Sequence, residues 1–291
     1  MNARLTILGS LALALTAANL SAVGYTVAVD GFYTGEADAE PEGTSLDGDL
    51  KTWQVGADME IEAGNYREGM LVGNFGYALR RYEAGVDLVD DTFEEDFDML
   101  SVGLRYQTQL QGQWGLTTFA GATFGQGEDG DLGEGGTYAV AALADYNFNQ
   151  ALTVSFGLAY FTQLGDDDQV IPLVAVRWQI NERWMLRTYD GVYLNYDLSG
   201  DGRQTMDAFV SWQNDSYSIG SVNGDEIYLN DEGFVAGVRY TYTLPGGLKL
   251  SPYLGYWFGR QVEERDEHDH TLSEVDVDPT WIVGGNISME F

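Results

Sequence analysis

The chain has 291 residues, with 46 Asp and Glu against 14 Lys and Arg, and no cysteine. This excludes a disulfide scaffold and cysteine-ligated zinc or iron–sulfur sites, and a net charge of −32 would repel nucleic acid. Aromatic residues at 13% are too many for a disordered acidic tail, and 37 glycines beside 5 prolines lean toward β-structure.

Residues 1–22 carry Arg4, an apolar run from Leu5 to Leu15 and small residues up to Ala22. This predicts a secretory signal peptide. Residues 23–291 are then expected to form one exported domain, and nothing after Ala22 is apolar over the roughly 20 residues of a spanning helix.

The remainder alternates. Trp53, Val55, Ala57, Met59 and Ile61 oppose Gln54, Gly56, Asp58, Glu60 and Glu62. Leu100, Val102, Leu104 and Tyr106 oppose Ser101, Gly103, Arg105 and Gln107. The same period runs through 138–148, 234–244 and 281–291, so each segment is predicted to be a strand with one apolar and one polar face. The expected strands are 23–33, 51–62, 68–81, 98–110, 113–125, 136–147, 151–161, 169–179, 184–195, 204–213, 216–222, 232–244, 248–260 and 277–291. That is 14 strands, or 12 if Gln213-Asn214-Asp215 is a bulge and not a turn.

Short and long connectors take turns along the chain. The long ones, 34–50, 82–98, 126–136, 162–168, 196–204, 223–232 and 261–278, hold 35 of the 46 acidic residues. A soluble sandwich explains the strand alternation equally well. It does not explain the alternating connectors, whereas a transmembrane barrel has short turns on one side and long loops on the other. Tyr25, Tyr33, Trp114, Tyr146, Trp178, Trp184, Trp212, Tyr242, Trp257 and Trp281 lie near strand ends, where interfacial aromatics belong. The fold class is therefore all-β: an antiparallel, up-and-down transmembrane β-barrel.

The final strand closes as Asn286-Ile287-Ser288-Met289-Glu290-Phe291. An alternating last strand ending on Phe resembles the assembly signal of Gram-negative outer-membrane barrels. The resemblance implies that Phe291 is read by the barrel-assembly machinery and that the protein sits in the outer membrane, against lipid and lipopolysaccharide. The segments 171–178, 184–196 and 254–260 are similar to a family of outer-membrane barrels named only as a domain of unknown function.

With the apolar faces toward lipid, Asp30, Asp58, Glu60, Asp145 and Asp207 face the lumen together with Arg105, Arg177, Arg239 and Lys249. Charges of both signs there suit a wetted pore. They also suit a closed, ion-paired interior, which a barrel of this width reaches only with a folded-in segment such as 82–98 or 261–278. The expected function is passive passage of small hydrophilic solutes or cations. A non-conducting adhesive or structural barrel is the alternative.

An outer-membrane hydrolase would depend on His268 or His270, the only two histidines, and an enzyme is not expected. That pair is also the one weak candidate for metal ligation, in the acidic run 263–270. No cofactor is expected. Divalent cations are expected partners only at the acidic loops.

Overall fold

The structure, a computed structural model, describes residues 23–41, 48–65, 68–84, 96–128, 130–131, 133–222, 224–268 and 270–291. The predicted signal segment 1–22 lies outside the described residues.

Alternating side chains give every segment two faces, and the chain closes them into a ring. The strands are β1 (Val23–Thr34), β2 (Ala37–Pro41), β3 (Gly48–Asn65), β4 (Gly69–Ala84), β5 (Asp96–Gln109), β6 (Trp114–Gln126), β7 (Gly136–Asn147) and β8 (Leu152–Gln163). They continue as β9 (Asp166–Gln179), β10 (Trp184–Thr188), β11 (Gly191–Asp197), β12 (Gln204–Val222), β13 (Asp225–Thr243), β14 (Leu248–Asp266), β15 (Thr271–Val277) and β16 (Thr280–Glu290). Sequence neighbours pair antiparallel, and β1 pairs with β16 from Thr26↔Glu290 to Thr34↔Ile282, which closes the barrel. β2 and β15 continue β1 and β16 and pair with each other, so the wall has 14 strands.

The count of 14 agrees with the sequence expectation, not with 12, but three of the predicted strands differ. Residues 184–195, predicted as one strand, form the hairpin β10–β11. Residues 204–213 and 216–222 form a single strand, β12, because Gln213, Asn214 and Asp215 pair with Gly233, Glu232 and Asp231. The predicted outer loop 196–204 consequently lies at the end carrying the chain termini, here called the lower end. Most of 223–232 and 261–278 is strand, not loop.

Those strand extensions build the upper half. The top of β12 crosses to β6: Ser218 pairs parallel with Gln126, and Gly127 N–H donates to the Ser218 carbonyl at 2.8 Å. β7, β8 and β9 are thereby left out of a smaller upper ring made of β12, β13, β14, β15, β2, β3, β4, β5 and β6. About eight strands enclose a space that side chains just fill, and this ring is filled. Ala37, Ala39, Leu50, Tyr82, Phe97, Tyr217, Leu229, Val262, Val275 and Val277 form a buried apolar core inside it. Among the described residues the seal is made by continued strands, 261–266 and 271–277 among them; residues 85–95 of the expected plug segment 82–98 lie outside the described residues.

The other consequence is a notch in the wall. β10 and β11 have five and seven residues, against 14 in β9 and 19 in β12. β9 pairs with β10 only from Gln179 to Arg177, and β11 leaves β12 at Gly191↔Ser211. Above the β10–β11 tip β9 pairs with β8 and β12 with β13, leaving the facing edges of β9 and β12 unpaired with each other, and the β8–β9 tip returns to the wall where Asn230 Nδ2 donates to the Leu164 carbonyl at 3.2 Å. Val176 N–H points to this side, donating to Thr188 Oγ1 at 2.9 Å. Backbone direction repeats every second residue in an antiparallel ladder, so residues 170, 172 and 174 turn the same way. Residue 172 is proline, which has no N–H to leave unpaired and is tolerated at strand edges.

Candidate functional site

Five strands pass from the upper core to the same polar layer by one side-chain step of two residues. Below Tyr82, Leu229, Tyr217, Val262 and Leu50 come Arg80, Asp231, Asp215, Arg260 and Thr52. They converge. Arg260 donates from Nε and Nη2 to both oxygens of Asp231 at 2.9 Å, and from Nη2 to Thr52 Oγ1 at 2.8 Å. Arg80 donates to Asp215 at 2.6 Å, to Asp231 at 3.3 Å and to Gln54 at 2.9 Å. The Tyr82 hydroxyl donates to Asp231 Oδ2 at 2.7 Å. Asp231 is fully buried and both arginines are 2% exposed. Taking such charges out of water costs several kcal/mol per ion, which these shared hydrogen bonds offset; Arg260 Nη1 alone of the guanidinium nitrogens here has no partner among the described residues. Below this layer Tyr193, Phe209, Val235, Trp257 and Ile282 form a second apolar cluster, and Arg260 lies 4.2 Å over the Trp257 ring. Trp257 was expected at the membrane interface; it is 1% exposed and points inward, because Leu254 and Tyr256 hold the outward positions of β14.

Beneath the two clusters the interior is open and polar. Asp30, Asp207, Arg239 and Lys249 line a cavity of about 650 Å³ with Gln54, Arg187 and Tyr253. Asp145 and Arg177 line one of about 480 Å³ with Arg187, Thr188 and Tyr189. Arg187 borders both. Among the described residues no element crosses the lower end, where the turns are short.

The sequence-selected residues are distributed as local pairs. Glu60 meets Arg105 at 3.7 Å, and Lys249 meets Glu290 at 3.7 Å. Asp207 stands opposite Arg239 across β12 and β13 and accepts from Asn195 Nδ2 at 3.1 Å. Asp30 and Asp58 stand near each other on β1 and β3, opposite Gly56 and Ala28 respectively. Asp145 accepts from Thr117 Oγ1 at 2.7 Å and Ser155 Oγ at 2.5 Å. Arg177 stands opposite Arg187, which sequence reasoning did not select. It also missed Arg80, Asp215, Asp231 and Arg260; Asp215 and Asp231 fall in stretches read as turn or acidic loop, and Arg260 borders another.

Phe291 stacks on Tyr25 with ring centroids 4.8 Å apart and donates its N–H to the Tyr25 carbonyl at 2.9 Å, tying the last residue to the first strand. The histidines lie at the opposite end. His268 groups with Glu267 and Asp225, all three exposed, in an arrangement that could hold a metal. His270 does not join that group; it faces Asp266 at 2.9 Å. The backbone N–H of His270, then the His270 side chain and the His268 N–H, hold the Asp266 carboxyl down at about 2. The acidic turn 197–202 uses its own ligands, since Asp197 accepts the N–H groups of Gly200 and Gly202.

Glu264, above the core on β14, is 7% exposed, and its Oε1 has no hydrogen-bond partner among the described residues. Burial raises its carboxyl above the usual range. A raised carboxyl contributes stability only where it is protonated, and loses that contribution as pH rises through its folded value. Glu264→Gln should therefore raise the melting temperature at pH 7 and leave it unchanged near pH 3. An equal shift at both pH values would contradict this.

No curated protein matches the chain in sequence. Among solved structures it is similar to the COG4313 outer membrane channel from Pseudomonas putida F1, at 12% identity and TM-score 0.47 over 92% of this chain and 96% of that one. It is similar to the P. putida toluene transporter TodX at 9% identity and TM-score 0.44, over 93% and 90% of the two chains. The translocator domain of the autotransporter NalP from Neisseria meningitidis aligns at 12% identity and TM-score 0.42, over 100% and 96%. A family profile, described as a domain of unknown function (DUF6268), matches residues 38–278. That span runs from β2 to the end of β15, well beyond the segments that carried the resemblance in the sequence, and the chain belongs to that family.

Proposed function

We propose that the protein is an outer-membrane barrel of a Gram-negative bacterium that takes small hydrophilic solutes into a vestibule open to the periplasm. In this reading the upper ring, at the outer surface, gates the passage. The observation that carries it is the charged, cavity-forming lumen beneath a packed seal.

Placement in a bilayer is supported by the outer surface. Val29, Leu71, Leu104, Val140, Leu158, Val174, Val210, Val238, Leu254 and Ile287 are all exposed and follow one another around the wall. Soluble monomers rarely expose contiguous apolar patches beyond a few hundred Å². Aromatic pairs flank this band. Tyr25–Phe291, Trp114–Tyr146 and Trp184–Tyr196 lie at the lower edge, and Tyr33–Trp281 and Trp212–Phe234 at the upper. On β16 the two edges are about ten residues apart, as an apolar band roughly 25 Å tall requires of a tilted strand.

The upper seal also favours a second reading, a barrel that does not conduct and serves the envelope or the surface. Planar-bilayer recording separates the two. The channel reading expects a wild-type barrel that is mostly closed, with brief openings that prefer cations at low salt because the outer end is acidic. Silence at every voltage, in wild type and in seal-weakened variants, favours the second reading.

A further inference from the structure

Arg177 of β9 and Arg187 of β10 are direct cross-strand partners, and both side chains line the cavity of about 480 Å³. Like charges directly opposite on a sheet are destabilising. Here the chain holds 46 acidic residues, yet neither arginine forms an ion pair with a carboxylate among the described residues. The carboxylate that shares the cavity, Asp145, is held by the hydroxyls of Thr117 and Ser155 instead. Arg187 is oriented by Tyr193, whose ring centroid lies 4.5 Å from the guanidinium carbon. Two adjacent guanidinium groups, one of them fixed, offer the forked donor geometry that matches an oxyanion.

The rest of the lining narrows the ligand. Leu143, Ala175 and Tyr189 give the cavity an apolar side, next to the β10–β11 tip that carries Tyr189. The volume lies within the roughly 300–1,000 Å³ of small-molecule sites. A purely polar anion would leave that side unused, and a cation would be repelled. We propose that Arg177 and Arg187 bind the carboxylate of a small apolar or aromatic acid, with its hydrocarbon part against Leu143, Ala175 and Tyr189. The site does not depend on the barrel conducting, so a silent bilayer recording leaves it standing.

The test is calorimetric titration of the whole barrel in lipid nanodiscs at low salt, with three probes: phenylacetate, its neutral amide and acetate. Phenylacetate should bind. The amide and acetate should each bind at least about tenfold more weakly, as hydrogen bonds to charged groups and burial of an aromatic ring each contribute on that order. Arg177→Gln/Arg187→Gln should lose phenylacetate binding by a similar factor, with Arg177→Lys intermediate. The double variant should melt no lower than wild type without ligand, since it relieves repulsion. Failure of phenylacetate to bind, equal affinity for the amide, equal affinity for acetate, or binding unchanged in the double variant would each overturn the proposal.

Discussion

Asp231→Ala should destabilise the barrel by about 3–5 kcal/mol, the usual result of removing one partner from a buried ion pair. Asp231 is the common acceptor for Arg260, Arg80 and Tyr82, and all three are buried. Its loss leaves two buried guanidinium groups with Asp215 as their one carboxylate partner among the described residues, beside Thr52, Gln54 and the Tyr82 hydroxyl. Equilibrium urea unfolding in lipid bilayers reads the effect. Asp231→Asn keeps the shape but not the charge, and should recover only part of it. A loss below about 1 kcal/mol, the level of an exposed pair, would mean that the cluster is hydrated and the upper ring is not sealed.

Phe97→Ala combined with Tyr217→Ala should turn a mostly closed barrel into a steadily conducting one. The two rings meet with centroids 4.7 Å apart inside the upper core, and Tyr82 stacks edge-on to Phe97 at 5.2 Å. Truncating a buried aromatic costs about 3–5 kcal/mol through lost transfer energy and the cavity left behind. Here the cavity opens on the proposed route, so open probability in planar bilayers rises along with the loss of stability. Tyr217→Phe is the control. The Tyr217 hydroxyl is buried without a partner among the described residues, so removing it should leave conductance and stability close to wild type. Unchanged conductance in the double alanine variant would place the barrier elsewhere or show that the barrel does not conduct.

Much of the barrel could be read from the chain because lipid and lumen impose a period of two. Trp281, Val283, Ile287 and Phe291 are exposed on the outside as their alternation implies. The upper ring was not readable, and charge is the reason. Asp231 and Glu232 lie in an acidic stretch, and acidic stretches between strands look like solvated loops. Their pairing with Asp215 and Asn214 depends on a partner strand that local pattern does not reveal. Asp231 is tolerated inside only because Arg80 and Arg260 arrive from β4 and β14, 151 and 29 residues away in sequence. The β10–β11 hairpin did carry a local signal, Asp190-Gly191, a dipeptide favoured in tight turns. The apolar-polar alternation continuing on both sides of it masked that signal. The same hairpin sets the notch, whereas Arg187 stands opposite Arg177 through the 180–183 turn, which the predicted strands 169–179 and 184–195 already implied.

The account rests on β16 standing between lipid and a vestibule that opens only downward. Because the protein has no cysteine, a single-cysteine scan of residues 280–290 has no background. Each variant, assembled in oriented proteoliposomes, is exposed to a membrane-impermeant thiol reagent from one side at a time. Cysteines at 284, 286 and 288 should react from the periplasmic side and not from the outer side, while those at 283, 285 and 287 resist the reagent from both. Reaction without alternation, or labelling of 286 and 288 from the outer side in the wild-type background, would contradict it.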